Sequence, residues 1–369
     1  MIYWIVIGVL IIIVCLLILI IRRVFSKDSS TNMSDTIITA GVSLVVSAFP
    51  GIKEIVTSII ASLFKVAVSV EDDYVAIACG FLLIILGLFL RKDIKDRIFV
   101  LNMFGLFSQK EISDVQNIND LKLVDFKVKE VIIDFVDIFR NGPMTEEKNQ
   151  LIVDKVKRQC EAFSNRSKDF KSCFTGMAPI PYTILAGTRL SDCNLKRFFE
   201  FKRTDNKYYE LKAKDGFQKH EPLHVTYPQY IKQDSTDVIV ALSITRTVQE
   251  PDLVQFGDLN LIKIRLDEPK DNVIVSNEQL EDYGNIVLNA IEAIKEKYPK
   301  INRVHFVASI PSCVSIKLGM LFALSNNRLP QIISYHFVQS NLPKYPFGII
   351  VSITADDCGK LVEVEGGEV

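Results

Sequence analysis

Apolar positions along the chain fall into distinct regimes. Residues 2–21 run for twenty positions without a charge, and residues 74–90 for seventeen. As helices these measure about 30 and 25 Å, against a hydrocarbon core of roughly 30 Å. Between them, segment 36–70 is broken by Pro50-Gly51. Its second half repeats Ile55, Val56, Ile59, Ile60, Leu63 and Phe64 at helical spacing, opposite Thr57, Ser58, Ser62, Lys65 and Ser69. After Arg97, short apolar runs alternate with amphipathic stretches. The pattern predicts helices over 121–140 and 146–163, broken at Asn141-Gly142-Pro143, and a strand over 195–201. DVIVALSIT (237–245) is too short and too β-branched for a helix and reads as a buried strand. A helix over 277–297, a strand over 303–309, a helix over 311–324 and strands over 332–338 and 347–354 follow. Strand–helix–strand order predicts a mainly parallel α/β sheet covered by helices. Ligands of such sheets bind beyond the carboxyl ends of the strands, where helix N-termini offer free N–H groups.

The N-terminal run is longer than a signal-peptide core and is followed by Arg22, Arg23 and Lys27, so it reads as a retained anchor. Basic residues set the orientation: Arg22/Arg23 and the cluster Arg91, Lys92, Lys95, Arg97 belong in the cytoplasm, with Glu71, Asp72 and Asp73 outside. Two spans alone would separate the basic clusters; a third crossing reconciles them. Segment 36–70 is either that crossing, its polar stripe meeting copies of itself, or a helix lying in the interface. Two to four crossings are compatible with these patterns. The expectation is a multi-pass membrane protein with a cytoplasmic C-terminal domain.

The mean hydropathy of +0.23 agrees, because the apolar excess is concentrated in the first 90 residues. A net charge of −1, with nine Lys/Arg against eight Asp/Glu up to Arg97 and 34 against 36 afterwards, argues against duplex nucleic acid as a partner. A small anion needs only a few local cations. The seven cysteines are scattered, without CxxC or clustering with the four histidines, so neither a disulfide framework nor a zinc site is indicated. Reduced thiols are expected. No GxSxG, HExxH, Walker loop or GxGxxG occurs, so no catalytic residue, metal or cofactor is assigned.

An internal echo is visible: Pro179 precedes Gly187 by eight residues and Pro311 precedes Gly319 by eight, each glycine leading to an aromatic strand. It suggests two related α/β halves facing a shared pocket. MAPIPYTILAGTRLSDCNLKRFFEFKR (177–203), VIVALSIT (238–245), VHFVASIPSCVSIKLGMLF and ISYHF resemble a SAVED domain, over roughly 150–356. With a hydrophobic N-terminus, the chain resembles the transmembrane-SAVED effectors of bacterial CBASS antiphage systems. The resemblance implies two fused CARF-like, Rossmann-type halves that bind a cyclic di-, tri- or tetranucleotide, a trinucleotide being favoured. It implies homo-oligomerisation on binding and disruption of the lipid bilayer. The expected organisation is a transmembrane region over 1–97, a connecting helical segment over 98–149 and the SAVED-like sensor over 150–369.

Phosphates call for cations and N–H groups, and bases for stacking faces. The candidates are Thr188 and Arg189 after Gly187, Lys202 and Arg203 after the aromatic strand, and Ser243, Thr245 and Arg246 after the strand beginning at Asp237. Pro311, Ser312 and Ser315 open the later helix, and Tyr335 is the candidate stacking face. Each has a plainer reading: a helix-start serine, solvated surface charges, or a core tyrosine. Lys317 reads as a surface lysine. Two other functions fit the same pattern: a membrane-tethered nuclease degrading a cyclic oligonucleotide, and a membrane scaffold that binds another protein.

Overall fold

The computed structural model describes residues 32–47, 74–108, 111–168, 170–216, 219–230, 232, 234–325, 328–352 and 357–364. The anchor expected at 2–21 and the part of the 36–70 segment beyond residue 47 lie outside them. The chain divides into two compact units, Met1–Arg97 and Ile98–Val369.

In the first unit, helices α1 (Asn32–Ser47) and α2 (Tyr74–Lys95) pack against each other. Their backbones touch at glycines: a Cβ on Gly41 would stand 2.6 Å from the Gly80 carbonyl oxygen, and one on Gly80 2.7 Å from that of Gly41. Small residues allow such approach where larger side chains would hold helices apart. Asp35 and Arg91 form an ion pair at 3.6 Å between the two helices. Away from α1, helix α2 exposes Phe81, Leu82, Ile85, Leu86, Leu88 and Phe89. Among the described residues, no helix is long and apolar enough to cross a membrane. The charge-free run expected as a span at 74–90 forms most of helix α2.

The second unit holds two sheets. The first has strand order β2-β1-β3-β4-β5, from β1 (Arg97–Phe104), β2 (Lys127–Asp134), β3 (Lys171–Met177), β4 (Leu195–Lys202) and β5 (Lys207–Glu210). Strands β1, β3 and β4 run parallel, and β5 turns back on β4. Helices α3 (Val115–Asp120), α4 (Val136–Arg140), α5 (Glu146–Ser167) and α6 (Ile180–Thr188) connect them. The segment 98–149, expected to be a helical connector, is thus corrected: it supplies two strands of this sheet. The helix expected over 121–140 is corrected: its middle is β2, where Lys127–Asp134 holds the β-branched run Val131-Ile132-Ile133, alternates in burial and lies beside β1.

The second sheet has order β12-β11-β10-β9-β7-β8-β6. Its strands are β6 (His224–Thr226), β7 (Asp237–Ser243), β8 (Asn260–Arg265), β9 (Arg303–Ser309), β10 (Gln331–His336), β11 (Phe347–Ile350) and β12 (Leu361–Glu363). The central four are parallel, and the outer strands antiparallel. Helices α7 (Asn277–Lys297) and α8 (Ser312–Leu324) complete it, as the sequence pattern predicts. Ser276 caps α7 by accepting from the Gln279 N–H at 3.0 Å.

The halves exchange helices. Helix α6 packs on β10 and β11, while α8 packs on β3 and β4, and α6 crosses α8 directly. One continuous core runs through both halves, from Phe174 and Ile184 to Phe306 and Ile316.

Candidate ligand site

The carboxyl ends of β9 and β4 meet at the start of α8. Cys313 donates its N–H to Glu200 Oε1 at 2.6 Å, and the Ser312 hydroxyl donates to the same oxygen at 3.0 Å. Glu200 stands two residues before the end of β4, and α8 begins three residues after β9 ends. This contact brings the carboxyl edges of the two sheets together. Burial pushes the Glu200 carboxyl upward, while the two donors oppose that shift. Burial likewise pushes the Cys313 thiol well above its ordinary range, the neighbouring Glu200 charge adding to it.

Within the second sheet, β7 has β8 on one side and β9 on the other. Such a reversal opens a crevice beyond the strand ends. There the Thr245 and Ser309 hydroxyls share a hydrogen bond of 2.8 Å, and Ser309 O accepts from the N–H groups of Ile244 and Thr245 at 3.0 and 2.9 Å. Arg246 follows and is exposed. At the end of β4, Lys202 pairs with Asp205 at 2.6 Å. The Arg203 guanidinium lies 5.2 Å from the Phe107 ring centre, within cation–π range. Arg140 Nε donates to Leu106 O at 2.8 Å. Arg203 at Phe107 and Arg140 at Leu106 thus both meet the segment that follows β1.

Ser312, Pro311, Thr245, Arg246, Lys202 and Arg203 thus lie at the joined strand ends. Five other candidates are corrected. Thr188 is buried, its hydroxyl bonded to Leu185 O at 2.7 Å. Arg189 caps the C-terminus of α6, about 13 Å along the helix from the edge where α6 begins. Ser315 is buried one turn into α8 and donates to Pro311 O at 3.1 Å. Ser243 is buried and accepts from the Val248 N–H at 3.0 Å, holding the turn after β7. Tyr335 is buried on the opposite face of the sheet, its hydroxyl 2.8 Å from His305 Nδ1 and its ring packed edge-on to Phe256. Lys317, read as a surface lysine, pairs with Glu281 at 2.5 Å.

Glu200, Ser309, Phe107 and Arg140 escaped the sequence reading. Glu200 lay inside the quoted aromatic strand, where alternation with Phe199 and Phe201 was the available signal. Phe107 and Arg140 carry no local signal, because the pattern reads 98–149 as a connecting helical segment. A cavity of about 120 Å³ lies on the opposite face of β7 and β8, bordered by Ser243, Thr247, Glu250, Lys263 and Arg265.

The family described as the SMODS-associated and fused to various effectors sensor domain, SAVED, matches residues 154–351, just over half of the chain. Among solved structures, the chain is similar to the Acinetobacter baumannii Cap4 SAVED/CARF-domain containing receptor with the cyclic trinucleotide 2'3'3'-cAAA. That match has 17% identity and a TM-score of 0.46, covering 72% of this chain and 54% of that one. The same receptor with 3'3'3'-cAAA matches at 16% identity and 0.46, covering 72% and 55%. The receptor described without a ligand matches at 16% and 0.43, covering 71% and 52%. The chain spans about half the length of these solved chains. No curated protein matches.

Proposed function

We propose, from the premise that this chain belongs to the SAVED family of sensor domains, that it is a receptor for a cyclic oligonucleotide in antiphage defence. A cyclic trinucleotide is the favoured ligand, as in the receptor to which the chain is similar. The observation that carries the reading is the Glu200–Ser312–Cys313 contact. It joins the carboxyl edges of both halves, and the exposed Arg203 and Arg246 follow the ends of β4 and β7. Phosphates of a ring bridging the halves would meet those guanidinium groups.

In this reading binding itself is the output, and no bond is broken. Ligand binding favours one arrangement of copies over another through differential affinity, and homo-oligomers form. The N-terminal hairpin then acts on the inner membrane, with the sensor in the cytoplasm. The glycine-packed hairpin and the apolar face of α2 support the membrane part.

The test uses full-length protein reconstituted in dye-loaded liposomes. Cyclic triadenylate is expected to bind and release dye, and Arg246→Ala to weaken binding about tenfold, the scale of one lost charge-assisted contact. Wild-type protein that binds no cyclic di-, tri- or tetranucleotide would refute the sensor reading. Saturated protein in sealed vesicles would refute the membrane output alone.

A further inference from the structure

The halves repeat one unit, β3-α6-β4-β5 and β9-α8-β10-β11, and their registers align position by position. Phe174 pairs with Phe198, and Phe306 with Ser334; Phe174 and Phe306 each stand five residues before the proline that precedes the helix. Two residues beyond Phe198, Glu200 stands opposite Tyr209 in β5. Two beyond Ser334, His336 stands opposite Phe347 in β11. Glu200 and His336 are therefore equivalent positions, each at a carboxyl edge and each beside an aromatic residue.

Their chemistry differs. Glu200 is hydrogen-bonded to the first groups of α8, which places an acid there and engages the Cys313 N–H. Helix α6 opens with Pro179 and has Pro181 in its first turn, so two backbone donors are missing from that end. Beside it the His336 ring packs edge-on to Phe139 at 5.1 Å and tilted against Phe347 at 5.3 Å. His336 and Phe139 are both partly exposed. Among the described residues nothing hydrogen-bonds the His336 ring nitrogens. Burial pulls its pKa down to about 4. The neutral ring offers one donor and one acceptor.

We propose that His336, backed by Phe139, reads a heterocyclic base of the bound ring nucleotide, while the equivalent place in the first half, filled by Glu200, takes none. The inference rests on the cyclic-oligonucleotide reading above. A phosphate is disfavoured at the α8 end by the Glu200 charge and falls to Arg203, Arg246 and Arg140. At the α6 end there is no acid and a free hydrogen-bonding edge beside an aromatic face, which suits a base. The ring therefore binds in one orientation in spite of the repeated fold.

Full-length wild type and variants are titrated with cyclic triadenylate and cyclic tri-inosinate, which exchange donors and acceptors on one base edge. Wild type should separate the two by about tenfold or more. His336→Phe keeps the aromatic packing and should bring them within about twofold. Phe139→Leu should weaken both alike, and Lys300→Ala, whose side chain pairs with Asp234 before the amino ends of β7 and β9, should leave the ratio at the wild-type value. If His336→Phe does not fold, His336→Gln carries the comparison, with the ratio expected to change. Undiminished discrimination in the His336 variant that folds, or equal binding of the two rings by wild type, overturns the inference and leaves the sensor reading intact. Wild type that binds neither ring nor any other cyclic oligonucleotide removes the sensor reading itself.

Discussion

Gly187 and Gly319 lie back to back where α6 crosses α8. A Cβ on Gly187 would stand 2.9 Å from the Gly319 α-carbon, and one on Gly319 2.8 Å from the Gly187 α-carbon. The added atoms would also collide reciprocally, the first with the Ile316 carbonyl oxygen and the second with that of Ile184. Ile184 and Ile316 each precede their own glycine by three residues, so the contact is locally two-fold symmetric.

The three atoms nearest each missing Cβ are all backbone, so the clash is not relieved by moving the end of a flexible side chain. Gly187→Ala and Gly319→Ala should each destabilise the sensor by about 1–3 kcal/mol, the scale of overpacking a core. The double variant should fall short of the sum, because both substitutions force the same separation. Calorimetric melting of wild type, both single variants and the double variant checks this; unchanged melting of either single variant would refute it.

Glu200 is an acid whose folded-state pKa is raised, first by burial. Between the unfolded value, near 4.3, and the raised one, the folded protein binds more protons than the unfolded chain. The stability contributed by this group therefore declines as pH rises through that window and levels off above it. Glu200→Gln should flatten that decline in denaturant melts from pH 4 to 8. Glu200→Ala should lose about 1–3 kcal/mol, because the buried Cys313 N–H loses its acceptor. A wild-type stability profile that superimposes on that of Glu200→Gln argues against the assignment.

His220 ties the segment after β5 to α7. Its Nδ1 meets Asp215 and its Nε2 lies 2.8 Å from Asp282, while Asp215 also accepts from the Ser276 hydroxyl that caps α7. Burial lowers the His220 pKa, but the two carboxylates outweigh it and the net shift is upward. For a base shifted upward, the stabilisation is fully present below about 6.5 and is lost as pH climbs through the raised folded value. Hydrogen exchange at His220 and Glu221, corrected for intrinsic rates, should accelerate between pH 6 and 9 in wild type. His220→Gln should abolish that dependence, and a flat wild-type profile would contradict it.

Periodicity and β-branching located most of the second half from sequence. The helix over Asn277–Lys297 and the strand over Arg303–Ser309 match to the residue, and α8 differs only in that Pro311 caps it. Local pattern failed at Lys127–Asp134, which also carries polar residues at spacings a helix allows. What makes it a strand is β1 beside it, a partner from outside the segment. The candidate site divides in the same way. Ser312, Arg246 and Arg203 follow strand ends, and strand ends are visible in sequence. Arg189 also follows a motif glycine, but that glycine closes its helix, so Arg189 lies at the far end of α6. Tyr335 and His336 are neighbours in sequence, and strand alternation sends them to opposite faces of the sheet.

The amino-acid pattern alone determined that this chain joins an apolar N-terminal region to an α/β part rich in parallel strands. Proline, glycine and β-branched residues act through their own backbone preferences, and those preferences are local. Tertiary structure decided which half each helix covers and which carboxylate meets the start of α8. Those outcomes depend on contacts between residues more than a hundred positions apart, such as Glu200 with Ser312, whose pairing is set by the packing of the whole core.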